Sequence, residues 1–308
     1  MRKKTTYDIH PDFKLLAKIH PPLNRKTIPG IQKMMNLLYY QQRSTRSVKV
    51  EHLHIPAEGH TVRALLYTPV TKKTDGCLLY CHGGGYAFPA APYQYKLARL
   101  YAEQAGCRVL FPDYRLAPGH PFPAAPEDCF AAYRWLLEQA EGSLIAVGGD
   151  SAGGTLAMAV CLMAIDQQIP VPCAQMLLYP AVGNCGEIES IRKYTDTPMC
   201  NSKDMDTYGK WYVQDESAGK LSYRSPVETE SWDQIPMTYI ETAEYDCLRD
   251  GAIIYADKLH DHGIAADLHN TEGTVHGYDM ALKSSIVKDL IEKRVDFLKS
   301  AFQITDAG

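Results

Sequence analysis

Ser151 sits in the run Gly149-Asp150-Ser151-Ala152-Gly153-Gly154, behind the apolar stretch Ser143 to Gly148 and ahead of a helix-forming segment, Ala152 to Gln167. A serine hydroxyl becomes a useful nucleophile only when a positioned base takes its proton. The Gly-x-Ser-x-Gly pattern between a strand and a helix is the setting of a nucleophile elbow, which holds the serine exposed on a sharp turn. The flanking glycines have a physical purpose there. The turn is strained, and a side chain at either neighbour would collide with the strand or helix packed beside it. The competing reading is a glycine-rich turn whose serine merely caps the helix. A phosphate loop is excluded, because no Lys-Ser or Lys-Thr follows the glycines.

Two further loops carry the complementary chemistry. His82-Gly83-Gly84-Gly85-Tyr86 follows the apolar run Cys77 to Cys81. Consecutive glycines let bare N–H groups approach a reacting carbonyl and, with the N–H of Ala152, form an oxyanion hole; a flexible glycine turn is the alternative. His82, at the strand end, is expected to hold this loop by hydrogen bonding. In this strand-turn-helix context the acid and the base come later in the chain, in the order serine, acid, histidine. Met237 to Thr242 reads as a strand, so Asp246 in the loop behind it is the expected acid, Glu244 the alternative, and Asp250 the cap of the next helix. His276 follows the strand Ala266 to Asn270 in a loop, whereas His269 lies within that strand and His260 and His262 lie at a helix end. His276 would take the Ser151 proton, Asp246 would hold the imidazole tautomer, and water would release the resulting acyl-enzyme. The scheme requires no metal and no organic cofactor.

These loops need a scaffold that brings them to one edge. From Cys77 onward, short apolar runs alternate with helical segments: strands at Cys77 to Cys81, Arg108 to Phe111, Ser143 to Gly148 and Ala174 to Tyr179, with helices between. That alternation means βαβ units and a mostly parallel sheet, with ligands beyond the carboxyl ends of the strands. Ahead of it, Val48 to Ile55 and Thr61 to Thr68 read as an antiparallel hairpin around Pro56-Ala57-Glu58-Gly59. Ile31 to Tyr40, preceded by Pro29-Gly30, has apolar residues at helical spacing. After Tyr179-Pro180 the alternation stops, and the tyrosine-rich stretch to Trp232 reads as an insertion with helical pieces near Lys203 to Val213. The organisation expected is an amino-terminal cap segment (1–45), a core (46–183), a cap insertion (184–232) and the rest of the core (233–308).

Bulk properties narrow the partners. A chain of 308 residues can bury about three-quarters of its unfolded surface and needs no staples. A net charge of -4 with scattered lysines and arginines offers no field for a nucleic-acid backbone. No stretch approaches the roughly 18 apolar residues of a membrane span, and Met1 to Asp8 is not followed by the apolar run of a signal peptide. A cytoplasmic protein is expected, its nine dispersed cysteines reduced and packed in the core. Cys77, Cys81 and His82 lack a second paired ligand set at zinc spacing.

From about Ala64 to the C-terminus the sequence resembles the hormone-sensitive-lipase-like carboxylesterases (bacterial family IV) of the α/β-hydrolase superfamily. Three signatures carry the resemblance: the HGGG-type loop, the run Asp113-Tyr114-Arg115-Leu116-Ala117-Pro118 continued by His120 to Ala125, and the GDSAGG elbow. It implies an α/β-hydrolase fold, with a mostly parallel eight-stranded sheet flanked by helices and a helical cap. It implies an oxyanion hole from Gly84, Gly85 and Ala152 with Gly83 in support, and hydrolysis of small-molecule esters of short to medium acyl chains. Tyr86 and Asp150 are further candidates for substrate contact, and Tyr194, Tyr208, Tyr212 and Tyr223 line a pocket or pack the cap. Two positions depart from the family: Gly119 replaces a usual glutamate, loosening an ion pair near the site, and Cys247 replaces a common proline beside Asp246. Packing is the expected role of Cys247. The same triad serves amide hydrolysis and deacetylation of sugars, and a non-catalytic receptor on this fold would lack His276. Oligomeric state is open, a homodimer included.

Overall fold

The computed structural model describes residues 7–139 and 142–304. Of the amino-terminal octet Met1 to Asp8, residues Met1 to Thr6 lie outside that description. Strands β1 (Val48–Ala57) and β2 (His60–Pro69) form the expected antiparallel hairpin, and β2 also pairs antiparallel with β4 (Arg108–Asp113). From there β3 (Cys77–Cys81), β5 (Ile145–Asp150), β6 (Ala174–Leu178), β7 (Met237–Tyr245) and β8 (Ala266–Val275) run parallel. Together they make one eight-stranded sheet in the order β1-β2-β4-β3-β5-β6-β7-β8.

Parallel strands can be joined only by crossovers, and helices supply them. The helices in chain order are α1 (Ile28–Met35) and α2 (Leu37–Tyr40) ahead of the sheet, the connecting helices α3 (Pro92–Ala105), α4 (Ala124–Gln139), α5 (Ala152–Asp166), α6 (Glu189–Lys193), α7 (Ser202–Tyr212), α8 (Leu221–Arg224) and α9 (Arg249–Asp261), and α10 (Ser285–Ala301) after the last strand. A strand covered on both faces reads as a continuous apolar run. β3 is such a strand: Cys77, Leu79 and Cys81 belong to one buried cluster with residues of α4, α5 and α9, whereas Leu78 and Tyr80 belong to a second with residues of α3 and α10. Two-residue periodicity thus divides one buried strand between two cores.

Two local expectations needed correction. The first helix begins at Ile28 and takes Pro29 and Gly30 into its first turn, where a missing N–H costs nothing. It breaks at Asn36, and its apolar residues Met34 and Leu37 face solvent; Ile28 and Tyr39 are the buried ones. The last strand does not stop at Asn270. It runs to Val275 through a bulge in which Thr271 faces Ala243 and Val275 faces Tyr245, with Gly273 at φ +66°. The two extra residues bend the strand and re-aim the loop at its end.

Candidate active site

Ser151 occupies the turn between β5 and α5 with φ 55° and ψ -120°, a conformation that costs a non-glycine residue about 1–3 kcal/mol. The turn is held from several sides: Ser151 N–H donates to Leu178 O (2.8 Å), and its carbonyl accepts from Gly154 N–H (3.0 Å) and Ala181 N–H (3.2 Å). The flanking glycines do what their spacing suggested. A Cβ on Gly153 would lie 2.0 Å from the Cys81 carbonyl oxygen, and one on Gly149 2.4 Å from the same atom. The elbow therefore packs backbone to backbone against β3.

The bulge in β8 delivers His276 to Ser151. Its Nε2 is 2.8 Å from Ser151 Oγ, and its Nδ1 is 2.6 Å from Asp246 Oδ2. A carboxylate only accepts, so the proton sits on Nδ1 and Nε2 of the neutral ring accepts from the serine hydroxyl. Asp246 lies in the turn after β7, fully buried, and its other oxygen accepts from Leu248 N–H (3.0 Å). Burial by itself lowers the His276 pKa, but the Asp246 charge, with Cys200 nearby, outweighs it and raises the value from 6.5 to about 9. The ring of Tyr179 stands edge-on to the imidazole at 5.0 Å, and its hydroxyl donates to buried Asp279 (2.9 Å). Asp279 and Glu241 share the fully buried Arg294.

The glycine loop approaches Ser151 from β3. Gly84 has φ 121°, open only to glycine, and a Cβ there would meet the Phe88 carbonyl at 2.6 Å. Gly83 N–H is taken by Asp150 Oδ1 (3.0 Å), whereas those of Gly84 and Gly85 meet no protein acceptor among the described residues. Ala152 N–H opens the first turn of α5, where helical donors have no partner within the helix. These three N–H groups, not that of Gly83, are available to a negative oxygen. His82 holds the loop as anticipated: Nδ1 bonds to Gly83 O (2.7 Å) and the ring stacks on Tyr114 at 4.3 Å.

Asp150 lines the cavity at Ser151, with its carboxylate engaged by protein donors. It is buried, and its two oxygens accept from Tyr80 Oη (3.1 Å), Gly83 N (3.0 Å), Tyr93 Oη (3.0 Å) and Gln94 Nε2 (2.7 Å). Four donors fill it, which makes it the strut that joins elbow, glycine loop and α3. Tyr86 likewise spends its hydroxyl on Thr155 Oγ1 (2.7 Å) and presents only its ring, stacked on Tyr212 at 3.7 Å. Glu244 is tied to the bulge through Gly273 N–H (2.7 Å), away from the imidazole. Asp250 does not cap α9; it accepts from Ser190 N–H (2.7 Å) and so fastens α6 to the core.

Ser151, His276 and the glycines open into an apolar cavity of about 250 Å³. Ile19 and Met35 from the amino-terminal segment, and Met199, Met205 and Tyr208 from the segment after β6, wall it. Of the four tyrosines considered, Tyr208 alone lines it; Tyr194 stacks under Arg249, Tyr212 under Tyr86, and Tyr223 bonds Asp166. Tyr179, Tyr93, Cys200 and Met280 line it without having been picked out from sequence, and the one available signal was Tyr179-Pro180 at a strand end. A larger cavity of about 840 Å³ lies at the opposite end of the sheet, among Lys72, Arg108 and Phe302, and no histidine lines it to activate a hydroxyl such as that of Ser143. All nine cysteines are free, and Cys77, Cys81 and His82 form no metal-ligating cluster among the described residues. No helix among those residues is long and apolar enough to cross a membrane.

The nucleophile, imidazole and acid in hydrogen-bonded series, with N–H donors beside them, are an arrangement able to transfer an acyl group. Comparison with known proteins agrees. A family described as alpha/beta hydrolase fold matches residues 78–280. Esterase LipI of Mycobacterium tuberculosis (strain ATCC 25618 / H37Rv) is 34% identical over 245 residues, 75% of each chain. Carboxylesterase NlhH of the same strain is 33% identical over 220 residues, 69% of each. A solved bacterial heroin esterase superposes with a TM-score of 0.86 at 26% identity, over 97% of this chain and 99% of that one. Esterase LipW from Mycobacterium marinum also gives 0.86 at 26%, over 96% of each. The chain belongs to the hormone-sensitive-lipase-like carboxylesterase family of the α/β-hydrolase fold, and is a carboxylic ester hydrolase acting on small-molecule esters.

Proposed function

We propose that Ser151 attacks the ester carbonyl while His276 takes its proton, that Gly84, Gly85 and Ala152 N–H groups bind the developing oxyanion, and that Asp246 stabilises the imidazolium. His276 then returns the proton to the leaving alcohol, and water repeats the sequence on the acyl-enzyme. The observation that carries this reading is the unbroken series Asp246 Oδ2, His276 Nδ1, His276 Nε2, Ser151 Oγ at 2.6 and 2.8 Å. In the same reading the cap is the segment 1–45, of which residues 7–45 are described, together with 184–232, because both segments contribute walls to the cavity. Its volume of about 250 Å³ falls below the ~300–1,000 Å³ of sites for drug-sized ligands, which supports acetyl to about hexanoyl esters of small alcohols.

Ser151→Ala should lower kcat on p-nitrophenyl butyrate by at least about 10⁴-fold with the fold intact; unchanged turnover would remove Ser151 from the mechanism. A panel of acetyl, butyryl, hexanoyl and decanoyl esters, with matched anilides, tests the substrate class. Dominant turnover of the anilides, or of the decanoyl ester, would overturn the short-chain ester reading.

A further inference from the structure

Four metal-ligating side chains meet where the segment after β6 touches the loop that carries Asp246. Cys200 Sγ lies 3.8 Å from Cys247 Sγ and 3.5 Å from Met205 Sδ. Cys200, Cys247 and Asp246 offer ligand atoms that all lie within 4.8 Å of one another, the one such group among the described residues. Cys200 and Met205 line the cavity above Ser151, so a dissolved ion has a way in, while Cys247 and Asp246 are fully buried behind them.

The spacing suits a tetrahedral ion. Two sulfurs each ~2.3 Å from a zinc-sized cation in tetrahedral geometry stand ~3.8 Å apart, which is the separation already present. The donors are two thiols and a thioether with one carboxylate, a soft set that favours thiophilic cations over Mg²⁺ or Ca²⁺. We propose that Cys200 and Cys247, completed by Asp246 and Met205, bind one thiophilic divalent cation, and that this ion switches off the esterase as an inhibitor rather than a cofactor. Binding replaces two S–H bonds with two metal–sulfur bonds and releases two protons to solvent, with no change of oxidation state. The ion draws the Asp246 charge away from His276 and places positive charge where an imidazolium must form. The inhibitory half rests on the proposed partnership of Asp246 and His276; the binding half does not.

Cadmium is the probe. The thiol-reduced, oxygen-free protein is titrated with CdCl₂ while thiolate-to-cadmium ultraviolet absorbance and p-nitrophenyl butyrate hydrolysis are followed together. We expect the absorbance to saturate at one equivalent per chain and activity to fall in step, by about 10²-fold or more, short of the ~10⁴-fold loss on neutralising the acid of a triad; EDTA restores both. Cys200→Ala/Cys247→Ala should show neither change relative to its own cadmium-free rate, and Cys200→Ser carries the same expectation if the double variant does not fold. Absence of the band in the wild type, or its persistence with equal inhibition in the variants, would overturn the site. A saturating band at full activity would overturn the inhibition and count against Asp246 as the acid while leaving the site. Loss of two free thiols that EDTA does not return would mean oxidation of the pair, and would also refute metal binding.

Discussion

Replacing Asp150 with asparagine separates a residue that positions the glycine loop from one that touches substrate. The carboxylate accepts from Tyr80 and Gly83 on Oδ1 and from Tyr93 and Gln94 on Oδ2. Asparagine keeps one acceptor and puts an NH₂ group in place of the other. At the Oδ1 position that group faces Gly83 N–H, which can only donate. At the Oδ2 position it faces the Gln94 amide, whose oxygen is held by Ala91 N–H (2.7 Å) and so cannot turn to accept. The tyrosine hydroxyls can reverse, yet one donor-to-donor contact survives in either orientation. An orphaned buried donor costs about 1–3 kcal/mol, and losing charge assistance in the remaining bonds adds a similar amount. Asp150→Asn should therefore lose about 2–6 kcal/mol of unfolding free energy, read from urea midpoints at constant m. A freed Gly83 also loosens the aim of Gly84 and Gly85. Loss of one oxyanion donor, about 10²–10³-fold in kcat, sets the ceiling, so we expect a fall of about 10- to 100-fold in kcat with KM within about threefold. A raised KM at unchanged kcat would make Asp150 a substrate contact, and a stability loss below about 1 kcal/mol would refute the donor accounting.

The pH profile offers a second test: a protonated imidazole cannot accept the Ser151 proton, so kcat/KM should rise with pH along a limb set well above 6.5, towards about 9. Asp246→Asn removes the leading opposing charge, and the limb of the residual activity should move down from about 9; a limb that does not move would exclude Asp246 as the source of the shift. Arg294→Met leaves Glu241 and Asp279 buried without their cation and should cost about 3–5 kcal/mol in urea unfolding; a variant as stable as the parent would show the pair to be replaceable by apolar packing.

The residues proposed as the triad are legible because each belongs to a local pattern with a local cause. Gly149 and Gly153 announce a turn that must press on β3, and the alternation of apolar runs with helices puts the loops after strands at one edge. Less was legible where the deciding contacts are remote in the chain. The bulge at Gly273 lengthened β8 beyond its apolar run, since Glu244 and Thr274 pair across strands 30 residues apart. The donors that hold Asp150 are not legible locally, because Tyr80, Tyr93 and Gln94 lie 56 or more residues away. Asp250 reads as the cap of its own helix, whereas the donor it serves is on α6, 60 residues earlier.

What the sequence by itself determined is the chemistry: a serine on a glycine-flanked turn, a glycine loop after a strand, and an acid and a histidine in the order that this fold requires. Those are consequences of backbone sterics and side-chain type within a few residues, and they hold wherever the chain goes next. The tertiary structure decided which carboxylates are struts and which one serves His276, how far β8 runs, and that Cys200 lies beside Cys247 across 47 residues. Such choices depend on which donors and sulfurs converge when distant segments pack, and burial then forces each polar group to find its partner there.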